Sequence, residues 1–268
     1  MNRVADVTMA TGRLVDFIRR VMTGSGLSGL VVGLSGGVDS ALSAILGVRA
    51  AGADKVLGLI MPYKNSSPES EKDAVNLARK FNLRTERIDI SPMIDAYFGG
   101  REVSTIRRGN KMARERMSLL FDIAARENSL VLGTSNKTET CLGYATWYGD
   151  AASSLNPLAG LYKRDVRAMA ESLGIPREII DKPPTADLWP GQTDEAELGI
   201  TYDMADRVLS MIVDEGERSL NRLVAATGAD ENLIRSIVAR MNRFAFKRAL
   251  PVTDLLGGNP IPEHLELT

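Results

Sequence analysis

The stretch Leu30-Val-Val-Gly-Leu-Ser-Gly-Gly-Val-Asp-Ser40 decides the fold. Its first half, Leu30 to Leu34, is an apolar run of strand length, and the residues that follow, Ser40 to Ala51, read as a helix. Between them Gly36 and Gly37 let the backbone turn tightly and bring its amides close to an anion. The helix start adds unpaired N–H groups and the positive end of a dipole. Asp39 is suited to hold a cation, and Ser35 and Ser40 to donate to phosphate oxygens. The plainer reading of the same residues is a Gly-rich turn with no ligand. No Gly-Lys-Ser/Thr follows, so this is not a Walker A loop, and γ-phosphoryl transfer by that machinery is disfavoured. A second glycine pattern, Gly24-Ser-Gly-Leu-Ser-Gly29, fits G-x-G-x-x-G but precedes the strand instead of following it, and reads as a turn.

The alternation continues on either side. Upstream, Leu14, Val15, Phe17, Ile18, Val21 and Met22 recur at helical spacing until Gly24. Downstream, Lys55 to Met61 predicts a second strand, Glu69 to Phe81 its helix and Arg84 to Ile90 a third strand. A long helix from Gly109 to Asn128 then leads into a fourth strand at Leu130 to Gly133. Strands separated by helices imply a parallel sheet covered on both faces, because each parallel crossover is long and right-handed. The expected class is α/β, a doubly wound parallel sheet with C-terminal helices. Those helices fall near Lys163 to Leu173, Tyr202 to Glu215, Leu220 to Thr227 and Glu231 to Phe246, the last three as a cap or dimerisation surface. No Gly- and Ser-rich linker marks a boundary, so residues 1–268 read as one domain. Within it, 1–180 form a nucleotide-binding core and 181–268 a substrate loop and helical cap.

At 268 residues the chain can bury such a core without staples. Charged residues at 25% and apolar ones at 44% argue against disorder, and no apolar run is long enough to span a membrane. Met1 to Ala10 lacks the pattern of a signal peptide, so a cytoplasmic location is expected. A net charge of −1 gives no general attraction to nucleic acid or to an anionic membrane. The single cysteine, Cys141, excludes an internal disulfide or a CxxC site, and the single histidine, His264, argues against histidine catalysis and histidine-rich zinc sites. Carboxylates, hydroxyls, cations, backbone amides and magnesium are left to carry the chemistry.

The loop Ser35-Gly-Gly-Val-Asp-Ser40 resembles the SGGxDS signature of the ATP-pyrophosphatase superfamily, with its adenine nucleotide alpha hydrolase-like fold. Members split ATP between the α and β phosphates and grip the departing pyrophosphate. A strand order of 3-2-1-4 would reverse the chain between the first and fourth strands, whose C-terminal ends then flank the ligand crevice. The loop after strand four, Gly133-Thr-Ser-Asn-Lys-Thr-Glu139, would bring Thr134 and Glu139 towards Asp39. Two carboxylates from different loops suit a magnesium ion shared with phosphate oxygens. On spacing alone Glu139 reads equally as an exposed carboxylate at a helix start.

Further segments resemble the ammonia-dependent NAD synthetases. They are Gly109-Asn-Lys-Met-Ala-Arg-Glu-Arg-Met117, Val131 to Glu139, Gly143-Tyr-Ala-Thr-Trp-Tyr-Gly-Asp150, Leu161-Tyr-Lys163, Lys182 to Gly199, and Phe246-Lys-Arg248 before Pro251. The resemblance runs from about Leu14 to Pro251. It implies that the carboxylate of nicotinic acid adenine dinucleotide (deamido-NAD) attacks the α phosphate of ATP, and that ammonia then displaces AMP from the adenylate to give NAD. Such chemistry needs positioning and charge stabilisation more than a histidine base. Carried over by position, the ATP segment is Gly33, Leu34, Ser35, Gly36, Gly37, Val38, Asp39 and Ser40, joined by Thr134, Lys163 and Thr185. Asp39 and Glu139 are the implied magnesium ligands. Arg114 and Lys247 match contacts to the deamidated dinucleotide, and Asp150 is expected to place ammonium or accept its proton. Without the resemblance, Lys163 reads as a solvated helix-start lysine and Thr185 as a loop hydroxyl.

Three positions depart from the family pattern: Trp147 stands where lysine is common, Ala151-Ala-Ser-Ser154 where Gly-Gly-x-Asp is common, and Phe246 where histidine is common. Trp147 would either stack on a substrate ring or serve packing. Among Arg107, Arg108, Lys111, Arg114 and Arg116, only Arg114 inherits a role, and the others read as a solvated helical face. Loops 62–70 and 183–195 resemble family loops that close over bound nucleotides. Glutamine-dependent relatives carry an added amidase domain with a catalytic cysteine, for which 268 residues leave no room, so ammonia is the expected donor; a homodimer is the family's usual state. The nearest enzymatic rival is a GMP synthetase catalytic domain, against which the 109–117 and 182–199 segments argue. A tRNA-modifying enzyme would call for a basic surface, and a nonenzymatic nucleotide sensor for loss of Asp39 or Glu139.

Overall fold

The computed structural model describes residues 6–249 apart from Ala186 and Pro190; His264 and Pro251 lie outside the described residues. Four strands, β1 (Gly29–Gly33), β2 (Val56–Ile60), β3 (Arg84–Arg87) and β4 (Ser129–Val131), form one parallel sheet in the order β3-β2-β1-β4. The expected reversal between the first and fourth strands is therefore present. Helix α1 (Val7–Ser25) precedes the sheet, and α2 (Val38–Ala51), α3 (Pro68–Lys80), α4 (Ser91–Phe98) and α5 (Thr105–Arg126) make the crossovers. After β4 come α6 (Lys137–Leu142), α7 (Lys163–Ser172), α8 (Arg177–Ile180), α9 (Asp194–Leu198), α10 (Tyr202–Leu209), α11 (Leu220–Thr227) and α12 (Glu231–Arg243).

Side chains alternate across the sheet, and the alternation assigns each helix to a face. Leu30 and Val32 of β1, with Val56 and Ile60 of β2, enter a core shared with α1, α2, α3 and α7. Val31, Leu57, Leu59 and Val131 point the other way, against Ile90, Ile94, Phe98, Met112 and Ile123 from the α4 and α5 side. Burial on both faces explains why β1 and β2 read as unbroken apolar runs. Strand β3 is an edge, and its outer residues are charged. Arg84 pairs with Glu127 at 3.1 Å and Glu86 with Arg126 at 2.6 Å, a composition that discourages pairing with another chain.

Several boundaries differ from the sequence expectation. The third strand stops at Arg87, although Ile88 and Ile90 still donate to Ile60 and Pro62 carbonyls at 2.9 and 3.0 Å. Ser91-Pro92 then opens α4, where proline at the first turn costs no hydrogen bond. Helix α5 begins at Thr105, four residues before Gly109, because Ser104 caps it by accepting from the Arg107 amide at 3.3 Å. The helix expected over Tyr202 to Glu215 is α-helical to Leu209 and continues as a π-helical turn over Ser210–Asp214. The glycine run at 24–29 is a turn, with Gly26 in the left-handed region at φ +70° closing α1. Helices α10 to α12 form a third core with Cys141, Leu142 and Tyr162, so they pack onto α6 and the start of α7.

Gly36 is the residue on which the β1–α2 turn depends. Its φ is +77°, and a Cβ there would lie 2.2 Å from the Ser70 carbonyl oxygen. Gly37 is extended at φ −96°, and a Cβ there would meet only the Ser35 hydroxyl at 3.4 Å. Gly36→Ala is therefore expected to destabilise by more than the ~1–2 kcal/mol that left-handed geometry alone costs a Cβ. Gly37→Ala should stay within about 1 kcal/mol of the native protein by chemical denaturation. Equal stability of the two variants would contradict this reading of the turn.

Candidate active site

A cavity of about 630 Å³ opens at the C-terminal ends of β1, β2 and β4, the place where the strand order reverses. The floor is Gly33, Leu34, Leu59 to Met61, and Val131 to Gly133; α5 supplies one wall through Ala113, Arg116, Met117 and Leu120. Arg240, Phe244 and Lys247 reach it from the C-terminal helices.

The turn after β1 is held by its own hydroxyls. Leu34 donates to the Leu59 carbonyl at 2.8 Å, extending the β1–β2 pairing one step past the strand. Ser40 Oγ donates to the Gly37 carbonyl at 2.9 Å, accepts from the Ser35 amide at 3.2 Å and lies 3.0 Å from Ser35 Oγ. Ser35 and Ser40 were expected to face phosphate. Both line the cavity, but Ser40 is committed to the shape of the turn. Gly36, Gly37 and Val38 shape the turn without forming cavity wall.

Next to this turn lies a buried cluster of charge. Lys163, at the first position of α7, is 3% exposed, and its ammonium sits 2.5 Å from Asp39 Oδ2 and 3.3 Å from Glu139 Oε1. Asn136, fully buried, donates from Nδ2 to Asp39 Oδ1 at 2.8 Å. The same Asn136 caps α6 by accepting from the Glu139 amide at 3.0 Å, while Glu139 Oε2 accepts from the Asn136 amide at 3.3 Å. This capping box satisfies two amides and fixes the Glu139 carboxylate. Buried Asp194 joins the group through Tyr202 Oη, 3.0 Å from Asp194 Oδ2 and 3.4 Å from Glu139 Oε1, and through Tyr144 Oη at 3.0 Å. Two carboxylates thus share one ammonium, with a third, Asp194, held next to them by tyrosine hydroxyls. Burial, with Asp39 and Asp194 nearby, pushes Glu139 up to about 7 although Lys163 pulls it down. Burial raises Asp194 also. For Lys163 the burial penalty is outweighed by Asp39 and Glu139, which hold it firmly protonated.

The opposite end of the cavity is built around Asp150. Its Oδ1 accepts from the Thr146 amide at 2.8 Å, and Thr146 Oγ1 in turn donates to Asn110 Oδ1 on α5 at 2.8 Å. Asp150 presents its open face to the cavity, and the protein around it raises its pKa, with Thr146 and Lys247 opposing the rise. Lys247 donates to the Gly143 and Ala145 carbonyls at 2.8 and 2.6 Å. Cys141 is buried and its thiol is pushed up by desolvation, which suits packing and not nucleophilic attack.

Of the residues expected from sequence, Thr134, Asp39, Glu139, Asp150 and Lys247 meet at this one cavity, with Lys163 directly behind its carboxylates. Lys163 is buried in a salt-bridge cluster and is no solvated helix-start lysine. Three others stand away from the cavity wall. Thr185 is exposed, its hydroxyl accepting from the Asp187 amide at 3.0 Å. Arg114 is exposed, with Nε donating to the Trp147 carbonyl at 3.2 Å. Trp147 stacks on Tyr148 at 4.5 Å and meets Phe246 edge-on at 5.2 Å. Ser154 Oγ accepts from the Val131 amide at 3.0 Å and so serves β4. Loops 62–70 and 183–195 both border the cavity and are joined by the Ser67 amide, which donates to Asp187 Oδ2 at 2.9 Å. The sequence reading missed Asn136, Asp194 and Tyr202, and it placed Arg116 on a solvated face, whereas Arg116 lines the cavity. The Asn136-x-x-Glu139 spacing was the available signal for the first of these.

A sequence profile of NAD synthase matches residues 10–251. The chain belongs to the NAD synthase family. The NH(3)-dependent NAD(+) synthetase of Fusobacterium nucleatum subsp. nucleatum is 48% identical over 240 residues, covering 89% of this chain and 92% of that protein. Two solved structures resemble it closely. The NMN synthetase of Francisella tularensis has a TM-score of 0.82 at 31% identity, covering 93% of this chain and 99% of the other. The NH3-dependent NAD synthetase of Campylobacter jejuni has a TM-score of 0.79 at 35% identity, with the same coverage.

Within the NAD synthase fold of this chain, the donor set at Asp39 and Glu139 suits a hard divalent cation. Among the described residues no three carboxylate, histidine or cysteine side chains close around a metal position by themselves. Two carboxylates with room for substrate oxygens is the arrangement magnesium takes with nucleotides. Carboxylates outnumber the ammonium there, which suits an added positive charge. Lys163→Met should destabilise by about 3–5 kcal/mol, since it strands buried carboxylates without their ammonium. Urea denaturation of this variant beside Lys163→Met/Glu139→Gln should show partial recovery in the double variant. No recovery would mean that the loss comes from packing and not from charge.

Proposed function

We propose that the chain catalyses ATP-dependent amidation of deamido-NAD with ammonia, giving NAD, AMP and pyrophosphate through an adenylated intermediate. One observation carries this: a single cavity joins the Gly33–Ser40 turn and its carboxylate cluster to Asp150 at the other end. The Fusobacterium and Campylobacter relatives, both named for ammonia dependence, support the choice of nitrogen donor. The buried, unactivated Cys141 offers no amidase nucleophile.

In the first step a carboxylate oxygen of the acid attacks the α-phosphorus of ATP, and the bond to the α–β bridging oxygen breaks. Pyrophosphate leaves with that electron pair, its charge met by the first amides of α2. Magnesium held by Asp39 and Glu139 would supply further neutralisation of phosphate charge. In the second step the ammonia lone pair attacks the acyl carbon, AMP leaves, and a proton is lost. Asp150 is the group placed to take it, and the neighbouring protein raises its pKa by stripping part of its water, which makes it a better base than a fully solvated aspartate. Holding acid and ATP side by side in one cavity removes much of the entropic part of the barrier, roughly 7–11 kcal/mol in favourable cases. Thr134 and Lys247 are assigned to substrate contact by their place on the cavity wall. We assign a cytoplasmic homodimer as the working form; exposed Ile106 and Phe121 on α5 support an apolar contact, and a sedimentation mass of one chain would refute it.

A second reading keeps the reaction and shortens the acid. The Francisella relative is named an NMN synthetase, and here the positions of three polar family residues hold Trp147, Ser154 and Phe246, engaged with each other or with β4. Purified protein with ATP and magnesium should form NAD from deamido-NAD with ammonium but not with glutamine. The same assay with nicotinate mononucleotide decides the second reading by which acid has the higher kcat/KM. No ammonium-dependent amide product from either acid would overturn both. Asp150→Asn should lower amide formation about 10²–10⁴-fold while ATP–pyrophosphate exchange persists; unchanged amide formation would remove Asp150 from the mechanism.

A further inference from the structure

Helix α5 runs past both ends of the cavity, and its residues mark the distance between them. At one end Leu120 lies, with Met61, within 4 Å of where a Cβ on Gly33 would be, beside the nucleotide turn. At the other, Ala113 would meet a Cβ on Gly149 at 3.1 Å, next to Asp150, and Asn110 accepts from Thr146. Arg116 falls between these levels, about one helical turn from Leu120 and just under one from Ala113. It lines the cavity. Its Nε donates to the Met61 carbonyl at 3.0 Å, the carbonyl just past the end of β2.

The guanidinium has no carboxylate within ion-pair distance among the described residues. Burial lowers its pKa, and the acids that oppose this, Asp187 and Asp150, act only at longer range. A guanidinium carries five N–H donors, of which the Met61 carbonyl uses one. Neither terminal nitrogen is both sealed from solvent and unpartnered, and the residue is part of the cavity wall. A half-buried cation without its own anion, partway along a cavity whose other titratable walls are mostly acidic, is arranged to receive an oxyanion.

Building on the reading of the chain as an ATP-dependent amide-forming ligase, we propose that Arg116 binds the oxyanion at the junction of the two substrates, where the acid's carboxylate meets the α-phosphoryl group of ATP. During adenylation the carboxylate's charge passes into the new P–O bond and pyrophosphate departs with the electron pair of the broken bond. The non-bridging α-phosphoryl oxygens remain charged throughout, and a fixed guanidinium fork stabilises them without reorganising.

The test compares Arg116→Gln with Arg116→Lys. Glutamine retains an N–H donor for the Met61 carbonyl and removes the charge; lysine retains the charge and loses the fork. ATP–pyrophosphate exchange without ammonia, KM for ATP and for the acid, and the thermal midpoint are measured for each. Exchange by the wild-type protein tests the reaction itself, so its failure is separate from a failure of the Arg116 assignment. The expected result is a fall in exchange of about 10²–10³-fold for Arg116→Gln, partial recovery in Arg116→Lys, and a midpoint unchanged in both. A loss confined to the exchange rate assigns the guanidinium to the α-phosphoryl oxygens, and a raised KM for the acid assigns it to the carboxylate. Exchange within twofold of wild type in both variants overturns the proposal. So does a loss in both that merely follows a lowered midpoint, which would make Arg116 a prop for the Met61 carbonyl.

Discussion

The ammonium of Lys163 between Asp39 and Glu139 is the contact from which the rest of the site takes its position. It joins the first turns of three helices, α2, α6 and α7, that arrive from distant parts of the chain. Acids in the first turn of α2, α6 and α9 are favoured there by the helix dipole. A lysine at the first position of α7 is not, and it is tolerated because the other helices bring carboxylates to it. Buried ion pairs of this kind contribute little net stability, but removing one partner is costly. The arrangement therefore fixes geometry more than it stabilises the chain.

The same contact places the C-terminal helices. Buried Asp206 of α10 accepts from Thr138 Oγ1 on α6 at 2.5 Å and from the Arg164 amide on α7 at 2.9 Å. Lys137 pairs with Asp214 in the π-helical turn and lies 4.5 Å from the Tyr162 ring centroid. Tyr202, the first residue of α10, reaches Asp194. The cap is thus hydrogen-bonded to the two helices that carry Glu139 and Lys163. Arg240, Phe244 and Lys247 line the cavity because that docking sets where α12 and the turn after it lie.

The sheet was legible in the sequence because its cause is local. Unbroken apolar runs at 30–34 and 56–60, each followed by a helix, leave little choice but parallel strands buried on both faces; the order β3-β2-β1-β4, which the sequence offered only as a condition, is read from the structure. Glu139 shows where local reading stops. Its two readings, helix-start carboxylate and site residue, are both true: Oε2 closes a capping box and Oε1 faces Lys163. Asp194 and Tyr202 lie far along the chain, and only the docking of the cap brings them to Asp39. Arg116 was hidden by its neighbours. In a helix with Arg107, Arg108, Lys111 and Arg114, composition shows a basic face, and nothing in periodicity says which arginine the β2 end will take from water.

Charge along the cavity alternates, and the alternation explains how a chain with so few histidines can host such a reaction. At the nucleotide end, carboxylates outnumber the one ammonium, so that end favours a cation brought in with phosphate. Midway stands a guanidinium with no anion of its own. At the far end Asp150 is again acidic, held by the Thr146 amide, open to the cavity, and raised by partial desolvation from the protein around it. Each region is incomplete in the sign of charge that the neighbouring part of the reacting complex supplies. A ligand that reaches only one region leaves the charge of the others unmatched. Such a cavity selects for both substrates bound together, and it does so with charge and backbone amides fixed before the substrates arrive.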